Sequence, residues 1–188
     1  MGESKASILY KLGELGIDFD DFGAPSPIIV TDAEVIDINV LSDVESAEIT
    51  LQMAIGGVGE FTQSHIQLLT DTTPLTTNDY YYAGVKRSSN NTTVAGYNGN
   101  GVDKLLIADS GKYNIACSII LNGLNRSDVI TTARIQTVTR NTANVVQTYT
   151  SLLYFAALTP VNGIRITNTQ AGTELTGKYW VIPKGKAA

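Results

Sequence analysis

The sequence predicts an all-β fold, an antiparallel two-sheet sandwich or a closed barrel, on three observations. Apolar residues recur at period two over most of the chain beyond residue 35, turn residues separate those runs, and no long helical pattern comes between them. The composition agrees: only 16% of the 188 residues are charged, and 22 Thr, 13 Asn, 12 Ser and 17 Gly fill the gap, a mixture that favours strands and turns.

Residues 1–23 form the first unit. Ser4 is placed to cap a helix, Ile8, Leu12 and Leu15 recur at helical spacing, and Gly16 followed by Ile17 has the form of a glycine stop. A helix of about eleven residues does not persist alone in water, so its apolar stripe needs a surface to pack on. Asp18, Asp20 and Asp21 follow in an acidic linker, and Pro25 and Pro27 bar further helix.

Residues 24–103 supply strands to the main sandwich or to a small sheet of their own. Ile36, Ile38 and Val40 alternate with Asp37 and Asn39; Ile49, Leu51, Met53 and Ile55 alternate with Thr50, Gln52 and Ala54. Gly56 to Gly59 is expected as a hairpin turn, with Phe61 to Leu69 the return strand. No Lys-Ser/Thr follows those glycines and no helix opens after them, so they do not cradle phosphate. Tyr80 to Val85 is a strand; Tyr80, Tyr81 and Tyr82 offer an aromatic platform for sugar or protein, but alternation turns at least one of them inward, and strand core is the expected role. Ser88 to Gly101, rich in Asn, Thr and Gly, is expected as loops and tight turns.

Residues 104–188 carry the clearest alternation. Tyr113, Ile115, Cys117, Ile119 and Leu121 share one strand face, and strands follow at 129–139, 145–158, 164–168 and 174–182. In the last, Leu175, Gly177, Tyr179 and Val181 oppose Thr176, Lys178, Trp180 and Ile182.

Chemistry is sparse. His65 is the single imidazole, and its neighbour Ser64 points to the opposite strand face, so the two form no catalytic dyad. Cys117 lies among Ile115 and Ile119 and reads as a core residue. After residue 60 only six carboxylates remain, a thin supply for paired acid chemistry. Asp18, Asp20 and Asp21 offer three oxygen donors but lack the glycine and distal glutamate of a calcium-binding EF-hand loop, so a solvated acidic turn is expected. The sequence therefore predicts a protein that is not an enzyme and uses no cofactor or metal.

The net charge of -5 divides unevenly: residues 1–60 hold twelve acids and two bases, and the remainder six acids and eleven bases. Such asymmetry points to different surroundings for the two ends. The bases after residue 60 are scattered, which gives no support to nucleic-acid binding. No run reaches the roughly 18 apolar residues of a membrane span, and the N-terminus lacks a secretory pattern, so synthesis in a cytoplasm and no membrane insertion are expected.

The segments Asp109-Ser-Gly-Lys-Tyr-Asn-Ile-Ala-Cys-Ser-Ile-Ile, Thr131-Thr-Ala-Arg-Ile-Gln, Ser151-Leu-Leu-Tyr-Phe-Ala-Ala-Leu-Thr-Pro-Val-Asn-Gly-Ile-Arg-Ile and Leu175-Thr-Gly-Lys-Tyr-Trp-Val-Ile-Pro form an ordered series. It resembles the jelly roll of the complement globular-head and tumour-necrosis-factor-like families from about residue 104 onward. The collagen-like stalk, disulfides and secretion signal of those families have no counterpart here. The layout is closer to the same knob as used in bacteriophage virion proteins, where a short N-terminal segment anchors it to the particle.

The resemblance implies an antiparallel jelly-roll sandwich with a short N-terminal helix and an extended docking segment. It implies a homotrimer, with Tyr113 and Tyr179 as candidate interface aromatics. The expected function is a noncatalytic structural virion protein, a capsid decoration or head-fibre protein, whose partner is the major capsid protein or another virion protein. Ile8, Leu12, Leu15, Ile17, Asp18, Asp20 and Asp21 are the candidate docking residues. Two alternatives are a short tail-fibre tip that recognises host surface carbohydrate through Tyr97, Asn98, Asn100 and Asn125, and a free carbohydrate-binding module.

Overall fold

A computed structural model describes residues 26–40, 44–57, 63–108, 114–140 and 145–186. The expected helix with Ile8, Leu12, Leu15 and Ile17, the linker with Asp18, Asp20 and Asp21, and Tyr113 lie outside the described residues. Within them every regular element is a strand: β1 (Ile28–Ala33), β2 (Val35–Asn39), β3 (Val44–Gly57), β4 (Ser64–Thr70), β5 (Thr73–Pro74), β6 (Tyr80–Ser88), β7 (Asn91–Val102), β8 (Leu105–Ala108), β9 (Asn114–Asn122), β10 (Thr131–Arg140), β11 (Val146–Phe155), β12 (Gly163–Asn168) and β13 (Thr173–Lys186).

The fold is an all-β sandwich of antiparallel sheets. The larger sheet has the order β1-β13-β3-β9-β10-β11-β6-β7; the smaller runs β2-β12-β4-β5, with β8 also paired to β4. Strands before and after residue 104 share both sheets, so residues 24–103 do not build a sheet of their own. β1 bulges against β13 between Val30 and Ala33, where Asp32 has φ +48°. The bulge is pinned where the Asp32 N–H donates to Thr176 Oγ1 at 3.0 Å and the Thr176 hydroxyl donates to Asp32 Oδ1 at 2.8 Å.

Alternation decides the faces. Ile115, Cys117, Ile119 and Leu121 of β9 point inward with Ala133 and Ile135 of β10 and Ile49, Leu51 and Met53 of β3. They meet Ile66 and Leu68 of β4, Ile164 and Ile166 of β12, and Ile36 and Ile38 of β2 from the smaller sheet. Each fully buried Leu or Ile contributes about 1.5–3 kcal/mol, so this core is the main source of stability.

Three expectations need correction. Gly56 and Gly57 end β3 rather than open a hairpin: β3 belongs to the larger sheet and β4 to the smaller, so the two are not paired, and Val58 and Gly59 lie outside the described residues. Period-two alternation identifies a strand but not its partner. Nor is Ser88 to Gly101 a run of loops: after the turn at Ser89 and Asn90, residues 91–102 form β7, paired along the whole of β6. Tyr179, expected at a trimer interface, packs in the core at 8% exposure, since it shares the inward side of β13 with Leu175. The outward side of β13 carries Lys178, Trp180 and Ile182 instead.

Candidate functional site

The far end of the larger sheet consists of two hairpins, β10–β11 and β6–β7, laid side by side. Their register brings distant residues together. Tyr154 on β11 pairs with Tyr81 on β6, which pairs with Asn100 on β7; one step along the sheet, Leu152 pairs with Ala83, which pairs with Asn98. All six therefore project from the same outer face.

On that face the Tyr81 and Tyr154 rings stack, with centroids 4.9 Å apart and planes 4° from parallel. Beside them lies a groove of about 480 Å³ lined by Tyr81, Tyr82, Ala83, Asn98, Gly99, Asn100, Leu152 and Tyr154. Leu152 is 64% exposed and Tyr154 45%, large apolar surfaces for positions held rigidly in a sheet. Every lining residue is uncharged.

Opposite this face the tyrosines do structural work. Tyr80 and Tyr82 turn inward, as the alternation Tyr80-Tyr81-Tyr82 requires once Tyr81 points out. Tyr80 is fully buried and meets Phe155 edge-on at 5.0 Å. Tyr82 fits because its partner is glycine: a Cβ at Gly99 would stand 2.3 Å from the Tyr82 ring. Likewise Tyr97 lies across Gly84, where a Cβ would come within 2.8 Å of its ring, and meets Tyr149 edge-on at 5.9 Å. Burial pushes the hydroxyls of Tyr82 and Tyr97 above the ordinary tyrosine range, and that of Tyr97 stands beside Ser151. Among the described residues neither the Tyr97 nor the Ser151 hydroxyl makes a well-formed hydrogen bond.

Of the four residues expected to contact a receptor, the structure brings Asn98 and Asn100 into the groove and turns Tyr97 to the other side of the sheet. Asn125 sits in the turn after β9 with φ +57°. Its amide donates to Val44 O at 2.8 Å, a structural contact, and it does not line the groove. Tyr81 belongs to the tyrosine run that the sequence offers as an aromatic platform, whereas its stacking partner Tyr154 carries no such signal. The signal for Tyr81 was the alternation within Tyr80 to Tyr82, which leaves Tyr81 outward whenever its neighbours are core.

The other candidates are structural. Ser64 donates to Asn168 Oδ1 at 2.7 Å. His65 is buried, and desolvation, reinforced by the nearby Lys104 charge, lowers its pKa from 6.5 to about 4. Burial pushes the Cys117 thiol up to about 12, with the Thr137 hydroxyl 3.3 Å from its sulfur. Arg165 grips Asp37 with two hydrogen bonds of 2.6 Å across β12 and β2. Among the described residues no three His, Cys, Asp or Glu side chains converge as metal ligands. A second concavity of about 510 Å³ lies at the opposite end of the same outer face, bordered by Gln52, Ala54, Asn114, Val138, Arg140 and Val146.

No protein-family model, curated protein or solved structure matches the chain.

Proposed function

We propose that the chain is a noncatalytic structural protein of a bacteriophage particle, a trimeric decoration or head-fibre knob built on an elaborated jelly roll and docked by residues 1–23. The observation that carries this reading is the nesting of the strand pairs. β1 pairs with β13, β2 with β12, β3 with β9 and β4 with β8. A jelly roll is such a nested ribbon of antiparallel pairs wrapped into two sheets, and virus capsid and lectin domains use it. The remaining strands are insertions: β5 to β7 between β4 and β8, and β10 and β11 between β9 and β12.

The jelly-roll half of the larger sheet, β1-β13-β3-β9, turns outward Ile120, Trp180 and Ile182, all half-buried, among small polar residues such as Thr50 and Ser118. The same face also carries Lys178, which lies over the Trp180 ring, and the Glu48–Lys184 ion pair; burial of its apolar residues against further copies, with symmetric closure, also shelters sheet edges from uncontrolled pairing. Docking falls to the N-terminal segment, through the stripe of Ile8, Leu12 and Leu15 and the acidic Asp18, Asp20 and Asp21.

Deletion of residues 2–22 tests the reading. The truncated chain should remain folded by circular dichroism and lose association with the particle, as seen by co-sedimentation and electron microscopy. Full association of the truncated chain would refute the docking role. Association that weakens with salt assigns the contact to the acidic residues, because exposed charges are screened beyond about 10 Å at 0.1 M; salt-independent association assigns it to the apolar stripe.

A further inference from the structure

We infer that the groove on β6, β7 and β11 is a binding site for a neutral hexopyranosyl saccharide. The inference goes beyond the structural role above and holds equally for a knob on a particle or a protein free in solution.

Three features of the groove specify the ligand. First, it is bounded by an aromatic pair that the backbone register fixes rather than a flexible loop: Tyr81 and Tyr154 are cross-strand partners with stacked rings. An aromatic wall with exposed surface suits the C–H face of a pyranose, an apolar patch on an otherwise polar molecule. Second, Asn98 and Asn100 stand on the same side of β7, about 7 Å apart by strand geometry. Each amide supplies two donors and an acceptor, which matches the alternating donor and acceptor character of neighbouring sugar hydroxyls. Third, no charged side chain lines the groove, which leaves nothing to recognise a carboxylated, sulfated or phosphorylated sugar and no charge to desolvate. Its volume of about 480 Å³ lies in the range of small-molecule sites.

A stacked cross-strand pair stabilises a hairpin whether or not it binds anything. That role alone, however, asks for neither the exposure of Leu152 and Tyr154 nor uncharged amides beside them. The groove also sits on the inserted hairpins, outside the nested pairs that close the sandwich, where added function does least harm to folding.

The test is saturation-transfer NMR of the full chain with methyl glycosides of glucose, galactose, mannose and N-acetylglucosamine, followed by an array of neutral and acidic glycans. At least one neutral probe should show transfer strongest at ring C–H protons, with affinity of roughly millimolar order for a monosaccharide. Tyr154→Ala and Asn98→Ala should each reduce binding at least about tenfold while keeping the wild-type circular dichroism, and Thr150→Ala, on the same face of β11 but outside the groove, should bind as wild type. Absence of transfer from every neutral probe at about 20 mM would overturn the proposal, as would binding that survives both groove substitutions. Self-association lost in Tyr154→Ala without any saccharide binding would reassign the groove to a second copy of the chain and equally overturn it.

Discussion

Replacing Tyr80 by phenylalanine removes one oxygen atom and should cost the fold about 2–4 kcal/mol. The reason lies in how β4 and β5 are joined. Leu75 N–H donates to Leu68 O at 2.9 Å, but the reciprocal bond is not direct: Leu68 N–H donates to the Tyr80 hydroxyl at 2.8 Å, and that hydroxyl donates to Leu75 O at 2.8 Å. The side chain thus completes a backbone ladder. Phenylalanine keeps the ring, fully buried and edge-on to Phe155, so no sizeable cavity opens. What is lost is the partner of a buried N–H, worth about 1–3 kcal/mol, together with one partner of a carbonyl, worth about 1 kcal/mol more. With a urea m-value of about 2–3 kcal/mol per molar, the unfolding midpoint should fall by about 1 M with m unchanged. Hydrogen exchange gives the local readout, because the Leu68 amide should lose its protection. Tyr81→Phe, on the outer face, should stay within about 0.5 kcal/mol. A Tyr80→Phe variant as stable as Tyr81→Phe, with Leu68 still protected, would refute the bridging role.

Further expectations follow from other buried sites. His65 has a folded pKa of about 4 against 6.5, so between those values the unfolded chain binds a proton that the folded chain refuses. Stability from this group is complete above pH 6.5 and is lost as pH falls toward 4, about 3 kcal/mol in all. His65→Gln should flatten that part of the urea-midpoint profile, and an unchanged profile would contradict the assignment. Gly84→Ala drives a Cβ to 2.6 Å from Thr150 O and 2.8 Å from the Tyr97 ring, whereas Gly96→Ala meets nothing within 4 Å. The first should lower stability by about 1–3 kcal/mol and the second should leave it nearly unchanged, by urea titration. Cys117, with its thiol pushed up to about 12 by burial, should react with a thiol reagent at neutral pH only after unfolding.

The strands that sequence made legible are those whose two faces meet different surroundings. β9, β10, β11 and β13 lie between a packed core and an open face, so their apolar residues alternate and both strand and facing direction follow. β1 escaped because Ile28 and Ile29 are both exposed on an edge, which erases the alternation. β8 escaped because four residues are too few to establish a period. β7 was hidden by its own chemistry. Its asparagines and glycines read as turn formers, yet Gly99 is there to admit the Tyr82 ring, and pairing with β6 outweighs the weak local preference. The groove was half legible for a related reason. Asn98 and Asn100 stood out as polar residues, but the meeting of Tyr81 with Tyr154 depends on a register that no local pattern encodes.

The central claim is that this sandwich is a symmetric knob, and its mass in solution tests that most directly. Light scattering coupled to size-exclusion chromatography at micromolar concentration should give three copies of the 20.1 kDa chain, about 60 kDa. A single species at 20.1 kDa under those conditions would contradict the account.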